Sequence, residues 1–378
     1  MVQPAKPKGD TTTQERRSSP ASVMDLPFKD QKNVNSDHAV PKLESDDGSQ
    51  TSQSECSADI SAAKNPVSNS AVTGSSSSMQ HILPWTGLAI WPLMLTLPLL
   101  LTSPYSFTSY SEVFSESMYS YDASTGDDKP KPLGLCLGIL AVAIGMIFIV
   151  VYFYLHRSGA LSCGIVPTSI QTKGAPSYEF AEGVATHLAQ PEGFVLLTAY
   201  LSITWMCNLM PSSYYSFEGS IQWFELALCL VIQDGIQYTM HRLEHAVSPE
   251  FYKKSHKPHH RFTNPRMFDA FNGSLPDTIL MILVPLYCTA NIVRTCNVWT
   301  YMAFGSIYAN WLTLIHSEYA LPWDKLFRRF GMGTPGDHHV HHKFFKYNYG
   351  HLFMWFDMLC GTYRCPDDVD RKYFNAAA

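Results

Sequence analysis

Eleven of the chain's fifteen histidines fall between positions 241 and 351. They come in groups: His241-Arg-Leu-Glu-His245, then His256-Lys-Pro-His259-His260, a single His316, and His338-His339-Val-His341-His342. Imidazoles at i and i+4 share one face of a helix, and those at i and i+3 nearly do. Such groups can converge on shared metal, and imidazole suits iron, zinc and copper. The ring ligands of the three boxes together exceed what one tetrahedral zinc takes, so a two-metal cluster is the economical reading. The isolated His81, His156, His187 and His351 are expected to be hydrogen-bonding or interfacial residues instead.

The elements that must position these groups are apolar. Ile82 to Leu101 and Leu133 to Leu155 carry no charge and are long enough, at 20 and 23 residues, to cross ~30 Å of hydrocarbon as helices. Phe194 to Met210 is a shorter third candidate. Phe224 to Tyr238 is a fourth, interrupted by Glu225 and Asp234, which should face protein because ionisable groups are costly in lipid. Ile279 to Val293 and Val298 to Ile315 read as a helical hairpin. Lipid offers the backbone no hydrogen-bond partners and alternating strand patterns are absent, so the expected fold is an all-α membrane protein. Basic residues flank the loops that leave the fourth helix (Arg242, Lys253, Lys254, Lys257, Arg261, Arg266) and the hairpin (Lys325, Arg328, Arg329, Lys343, Lys346). Their positive-inside bias puts both loops, and with them the boxes, in the cytosol.

Composition narrows the function classes. The 378 residues carry a formal charge of only -5 with no basic arm or stripe, which excludes nucleic acid as an expected partner. Nine scattered cysteines with no C-x-x-C argue against a disulfide framework or a thiolate zinc site. Residues 1–80 hold 16 serines and a single aromatic, Phe28, and are expected to form a disordered tail. The remaining boundaries divide 81–190, amino-terminal transmembrane helices and loops, from 191–378, the histidine-box domain. Gly331-Met-Gly-Thr-Pro-Gly336 fits G-x-G-x-x-G, yet no apolar strand precedes it, so it reads as a loop beside the third box. His241-Arg-Leu-Glu-His245 also fits the H-x-x-E-H of some zinc peptidases, but that reading leaves the other boxes idle.

The order H-x-x-x-H, H-x-x-H-H, H-x-x-H-H behind several apolar spans resembles the fatty acid hydroxylase and sterol desaturase superfamily of membrane di-iron oxygenases, over roughly 194–365. Within it, HKPHHRFTNP and HHVHHKFFKYNYGHLFMWFDMLCGTYRCP are most similar to the second and third boxes of sterol C5-desaturases (lathosterol oxidases). Asn272-Gly273 and His339 depart from that pattern, and His316-Ser-Glu-Tyr-Ala-Leu-Pro-Trp-Asp324 is similar instead to sterol and sphingoid-base hydroxylases.

The resemblance implies about four transmembrane helices, a re-entrant or membrane-associated hairpin and a cytosolic histidine-rich cap, in the endoplasmic reticulum membrane. It implies two iron ions, dioxygen as co-substrate, and electrons from NAD(P)H through cytochrome b5 and its reductase. Carried over by position, the metal ligands are His241, His245, His256, His259, His260, His316, His338, His341 and His342. Asp234, seven residues ahead of His241 and on its face, matches the family's acidic residue and is expected to orient a ligand. The expected reaction is C5-type desaturation of a sterol. A sterol or sphingoid-base hydroxylase or a sterol C4-methyl oxidase is the alternative, and a membrane zinc peptidase or a non-catalytic membrane protein is a remote one.

Overall fold

The computed structural model describes residues 88–373 apart from 103–108, 122–128, 163, 165, 173, 174 and 176. The serine-rich tail, His81 and the start of the first apolar segment therefore lie outside the described residues. Among the described residues all regular structure is helical, and extended pairing is limited to two isolated bridges, Ser169 with Tyr319 and Met332 with Phe353.

The first apolar segment departs from the expected single helix. It forms two short ones, α1 (Ile90–Met94) and α2 (Thr96–Thr102). Pro98 has no N–H to reach the carbonyl of Met94 one turn back. Ser306 Oγ takes that acceptor instead, donating to Met94 O at 2.6 Å. The second segment is α3 (Pro132–Arg157), which starts on Pro132 and ends on Arg157, a cation suited to the negative end of a helix. Its 26 residues span about 39 Å at ~1.5 Å each.

α4 (Phe180–Leu188) precedes α5 (Pro191–Met206), whose apolar run stops at Met206. α6 (Trp223–Ala246) begins with the fourth apolar segment and continues without a break through the first histidine box. Asp234, His241 and His245 therefore share one rigid face. α7 (Pro249–Lys254) leads to the second box, which lies just ahead of and within a short 3-10 turn, His259–Arg261.

The hairpin's first arm is α8 (Leu275–Thr278), a π-helical turn (Ile279–Leu283) and α9 (Val284–Ile292). That 18-residue arm and α3 are the two helices among the described residues long and apolar enough to cross a membrane. The second arm is α10 (Val298–Leu314). α10 packs along α3, and Gly145 permits the approach: a Cβ there would lie 2.2 Å from Asn310 Nδ2. Trp299 and Trp311 on α10 are fully buried, and Trp91 lies on Trp311 with ring centroids 4.5 Å apart. Where helices pack within lipid, close van der Waals contact of such rings helps hold them together.

Candidate metal centre

Each box is held by a local device that its sequence specifies. α11 (Asp324–Arg329) is followed by the Gly331–Gly336 loop, which has no nucleotide-site architecture; it delivers Thr334 as the cap of α12 (Pro335–Phe344). Thr334 Oγ1 donates to Asp337 Oδ2 at 2.6 Å, and Pro335 sits at the first helical position. The helix ends on Phe345 in the left-handed region. His338, His341 and His342 are thereby presented at i, i+3 and i+4.

The nine expected ligands fall into two groups. His241, His245, His256, His260 and His341 form one, and His259, His316, His338 and His342 form the other; within each, the ligand atoms all lie within 4.8 Å of one another. Both groups draw on the second box and on α12, so neighbouring residues feed different groups: His341 the first, His342 the second. Isolated His316, at the end of α10, belongs to the four-membered group, its Nε2 2.9 Å from His338 Nε2.

The hydrogen bonds behind these rings decide what their inner nitrogens can do. His241 Nδ1 donates to Tyr349 O at 2.8 Å, and His341 Nδ1 to Tyr347 O at 2.8 Å. His316 Nδ1 donates to Leu312 O at 2.7 Å, and His256 Nδ1 faces Asp277 Oδ1 at 2.7 Å. A neutral imidazole that donates through Nδ1 keeps a lone pair on Nε2. His241 and His256 nevertheless bring their Nε2 atoms to 2.9 Å. Two lone pairs at that separation repel unless a cation lies between them. This pair, and His341 Nε2 with His260 Nε2 at 3.0 Å, are close enough that one ion could be shared between their lone pairs.

Burial keeps the rings neutral, the state in which imidazole ligates metal. It pushes His256 down to about 3 and His259 to about 4, and His245 falls to about 3 from burial with His256 and His259 beside it. Glu244, by contrast, is pushed up to about 9 by burial and by nearby Asp277. Glu244, His256 and Asp277 themselves make a third compact group behind the five-imidazole cluster.

The trailing N-Y-G, W-x-D and G-T-x-R residues form a buckle around the segment that supplies the carbonyl acceptors. Asn348, at φ 54°, donates to Asp337 O and Arg364 O and accepts from Arg364 N at 2.7 Å. α13 (Trp355–Leu359) contributes Asp357, which accepts from Tyr349 N at 2.9 Å, Gly350 N at 2.7 Å and Thr362 Oγ1 at 2.6 Å. Asp234 closes the far side, accepting the amides of His351, Leu352 and Phe353 at 3.2, 2.7 and 3.1 Å. The Asp234 carboxylate is thus committed to the loop, and among the described residues no hydrogen bond links it to an imidazole of either group.

The carboxylate hydrogen-bonded to an expected ligand is Asp277, against His256. Its signal in the sequence was the capped helix start Ser274-Leu-Pro-Asp277, where Ser274 accepts from Asp277 N, but nothing local tied it to His256. His351, read as a bland residue, is buried between the groups, with ring centroids 5.1 Å from His241 and 5.3 Å from His338. His156 fits its expected hydrogen-bonding role, its Nε2 lying 3.0 Å from Ala320 O. His339 lies outside both groups; its Nε2 is 3.0 Å from Ser317 O.

The profile of the Fatty acid hydroxylase family matches residues 226–362, from the middle of α6 to the end of the buckle. The chain is 64% identical over 296 residues, 78% of its length and 84% of the relative's, to a protein of Phaeodactylum tricornutum named alternative squalene epoxidase. It belongs to the fatty acid hydroxylase family.

Within that family it is also 27% identical over 199 residues to a Delta(7)-sterol-C5(6)-desaturase of Nicotiana tabacum, covering 46% of the chain and 67% of that protein. A lathosterol oxidase of Mus musculus is 30% identical over 166 residues, 40% of the chain and 50% of the mouse protein. No solved structure matches. The chain is an oxidoreductase of the sterol-modifying branch of this generally iron-dependent family, with a lipid substrate and a membrane setting. Its imidazole groups have the donor chemistry to hold metal.

Proposed function

We propose that this chain converts squalene to its epoxide in sterol biosynthesis, using dioxygen and two irons. The observation that carries this reading is the 64% identity to the squalene epoxidase relative across 84% of that protein. The sterol C5-desaturase relatives match at about half that identity. One oxygen atom of O2 adds across a C=C bond and the other leaves as water, which consumes two electrons and two protons. NAD(P)H, through cytochrome b5 and its reductase, supplies the electrons.

His241, His245, His256, His260 and His341 would hold one iron, and His259, His316, His338 and His342 the other. Bound iron supplies the activated oxygen that no side chain can. The chain's residues do the rest: Asp277 and the Tyr347 and Tyr349 carbonyls orient ligand rings, while Asp234 and Asp357 hold the loop bearing those carbonyls. The proposed topology has four spans and the α8–α10 hairpin in the endoplasmic reticulum membrane, with the boxes in a cytosolic cap. Residues 81–190 supply the first spans, and 191–378 the oxygenase unit.

C5-type desaturation is the second reading, favoured by the N-Y-G, W-x-D and G-T-x-R buckle; hydroxylation or C4-methyl oxidation would draw on the same metal chemistry. Lipid profiles of a strain lacking the chain separate them. The epoxidation reading expects squalene to accumulate and microsomes with the chain to convert it only with O2 and NAD(P)H. A sterol saturated at C5–C6 with normal squalene would support desaturation, and oxygen-independent turnover would defeat every oxygenase reading. Metal analysis giving one zinc and no iron would instead favour the peptidase reading.

A further inference from the structure

Two cavities meet beside the imidazoles. The smaller, about 450 Å³, is walled by His256, His259, His316 and His351, with Gln237 and Asp277. The larger, about 840 Å³, lies between α3, α5, α9 and α10 and is walled almost wholly by apolar groups such as Leu135, Leu201, Trp205 and Met302. Phe271, Ile282 and Leu312 belong to the walls of both. Phe271 leans on His187 and Phe194, with ring centroids 5.8 and 6.2 Å away, and Ile282 lies in the π-helical turn, an irregularity frequent at functional sites.

We infer that Phe271, Ile282 and Leu312 form a throat, with the apolar chamber behind it holding the unreacting length of an acyclic hydrocarbon while one terminal alkene passes through to the imidazoles. The substrate named here rests on the epoxidation reading; the chamber and throat rest on the walls themselves. A chain without polar atoms matches a chamber that offers few polar partners. A junction walled by these three apolar side chains would admit an end of the chain rather than its middle, and so select the alkene that is oxidised. Phe271 is thus a specificity-determining residue.

Two glycines allow the chamber to be filled without breaking the fold. A Cβ at Gly138 would meet nothing within 4 Å, and one at Gly305 only Val142 Cγ2 at 4.0 Å. Both line the chamber and both sit inside helices, where replacing glycine favours the helix.

The test uses the full chain in detergent, with squalene and a half-length acyclic terpene bearing the same terminal alkene as probes. Binding is read by thermal shift and turnover by product analysis. Gly138→Leu and Gly305→Leu should abolish the squalene-induced shift and lower kcat/KM for squalene by about tenfold or more, while turnover of the short terpene falls less than about threefold and iron per chain is unchanged. Gly305→Ala should give an intermediate loss. Phe271→Leu, with iron content retained, should spread oxidation from terminal to internal alkenes. Unchanged squalene binding in both leucine variants, or an equal fall for long and short probes, would overturn the chamber. Strict terminal selectivity in Phe271→Leu would overturn the throat. Wild type that binds squalene, and loses that binding in the leucine variants, yet never oxidises it would leave the chamber standing and sink the epoxidation reading. Wild type that neither binds nor oxidises squalene would sink both.

Discussion

In the five-imidazole group His256 is backed by an anionic partner, Asp277, and His241 and His341 by carbonyls of the buckle. In the four-imidazole group no ring is hydrogen-bonded to a carboxylate among the described residues, although Asp277 and Asp269 lie near enough to His259 to act on it electrostatically; His316 rests on the Leu312 carbonyl, and the Nδ1 atoms of His338 and His342, like that of His260 in the first group, have no hydrogen-bond partner among the described residues. An acceptor behind a ring fixes its tautomer and raises its basicity, more so when the acceptor is charged. Identical side chains thus make one site with a ring hydrogen-bonded to a carboxylate and one whose rings have no such bond. The same residues that would hold metal leave the strength of holding to groups outside the ligand set.

The largest effect expected is loss of a ligand. Alanine at His341 or His342 should each cut turnover more than about 100-fold while leaving membrane insertion intact. His341→Ala should deplete metal from the five-imidazole group and His342→Ala from the other, read by metal content and iron spectroscopy. Wild-type turnover in both variants would remove these imidazoles from the metal centre.

Stepwise chelation is the next sharpest test. The group without a carboxylate brace should release its ion first, so metal content should fall in two phases, with activity lost in the first. A single phase would mean that the braces do not separate the two sites. Asp277→Asn keeps the shape and removes the charge, and should weaken metal retention at the five-imidazole group by about 10- to 100-fold, bringing the two phases together.

The smallest effect belongs to His339, which lies outside both groups. His339→Ala should retain turnover within a few fold and full metal content, with a stability loss of about 1–3 kcal/mol from leaving the Ser317 carbonyl without its partner. This is far milder than His338→Ala, which removes a ring 2.9 Å from His316. A reversed order in turnover and thermal melting would put His339 in the ligand set.

The amino-acid sequence alone determined the helical class, the apolar segments from Leu133 onward, and the nine histidines that come together, because helix periodicity and i, i+3, i+4 spacing are local properties of the chain. Proline chemistry made the break at Pro98 legible in principle, although the rescue of Met94 O by Ser306, 212 positions away, was not. The tertiary structure decided the division into five and four: a helix face fixes which rings point together, but the elements packed on either side of α12 fix which neighbour each ring meets. It also decided the braces, since every residue has a carbonyl and nothing in Tyr347 or Tyr349 marks theirs as the acceptors. Asp234 was singled out from the sequence and Asp277 was not, and only packing separates the one that holds a loop from the one that faces an imidazole. The throat at Phe271 arises the same way, where a residue after the second box, the π-helical turn and the end of α10 meet; long-range contact carries no periodic signal along the chain.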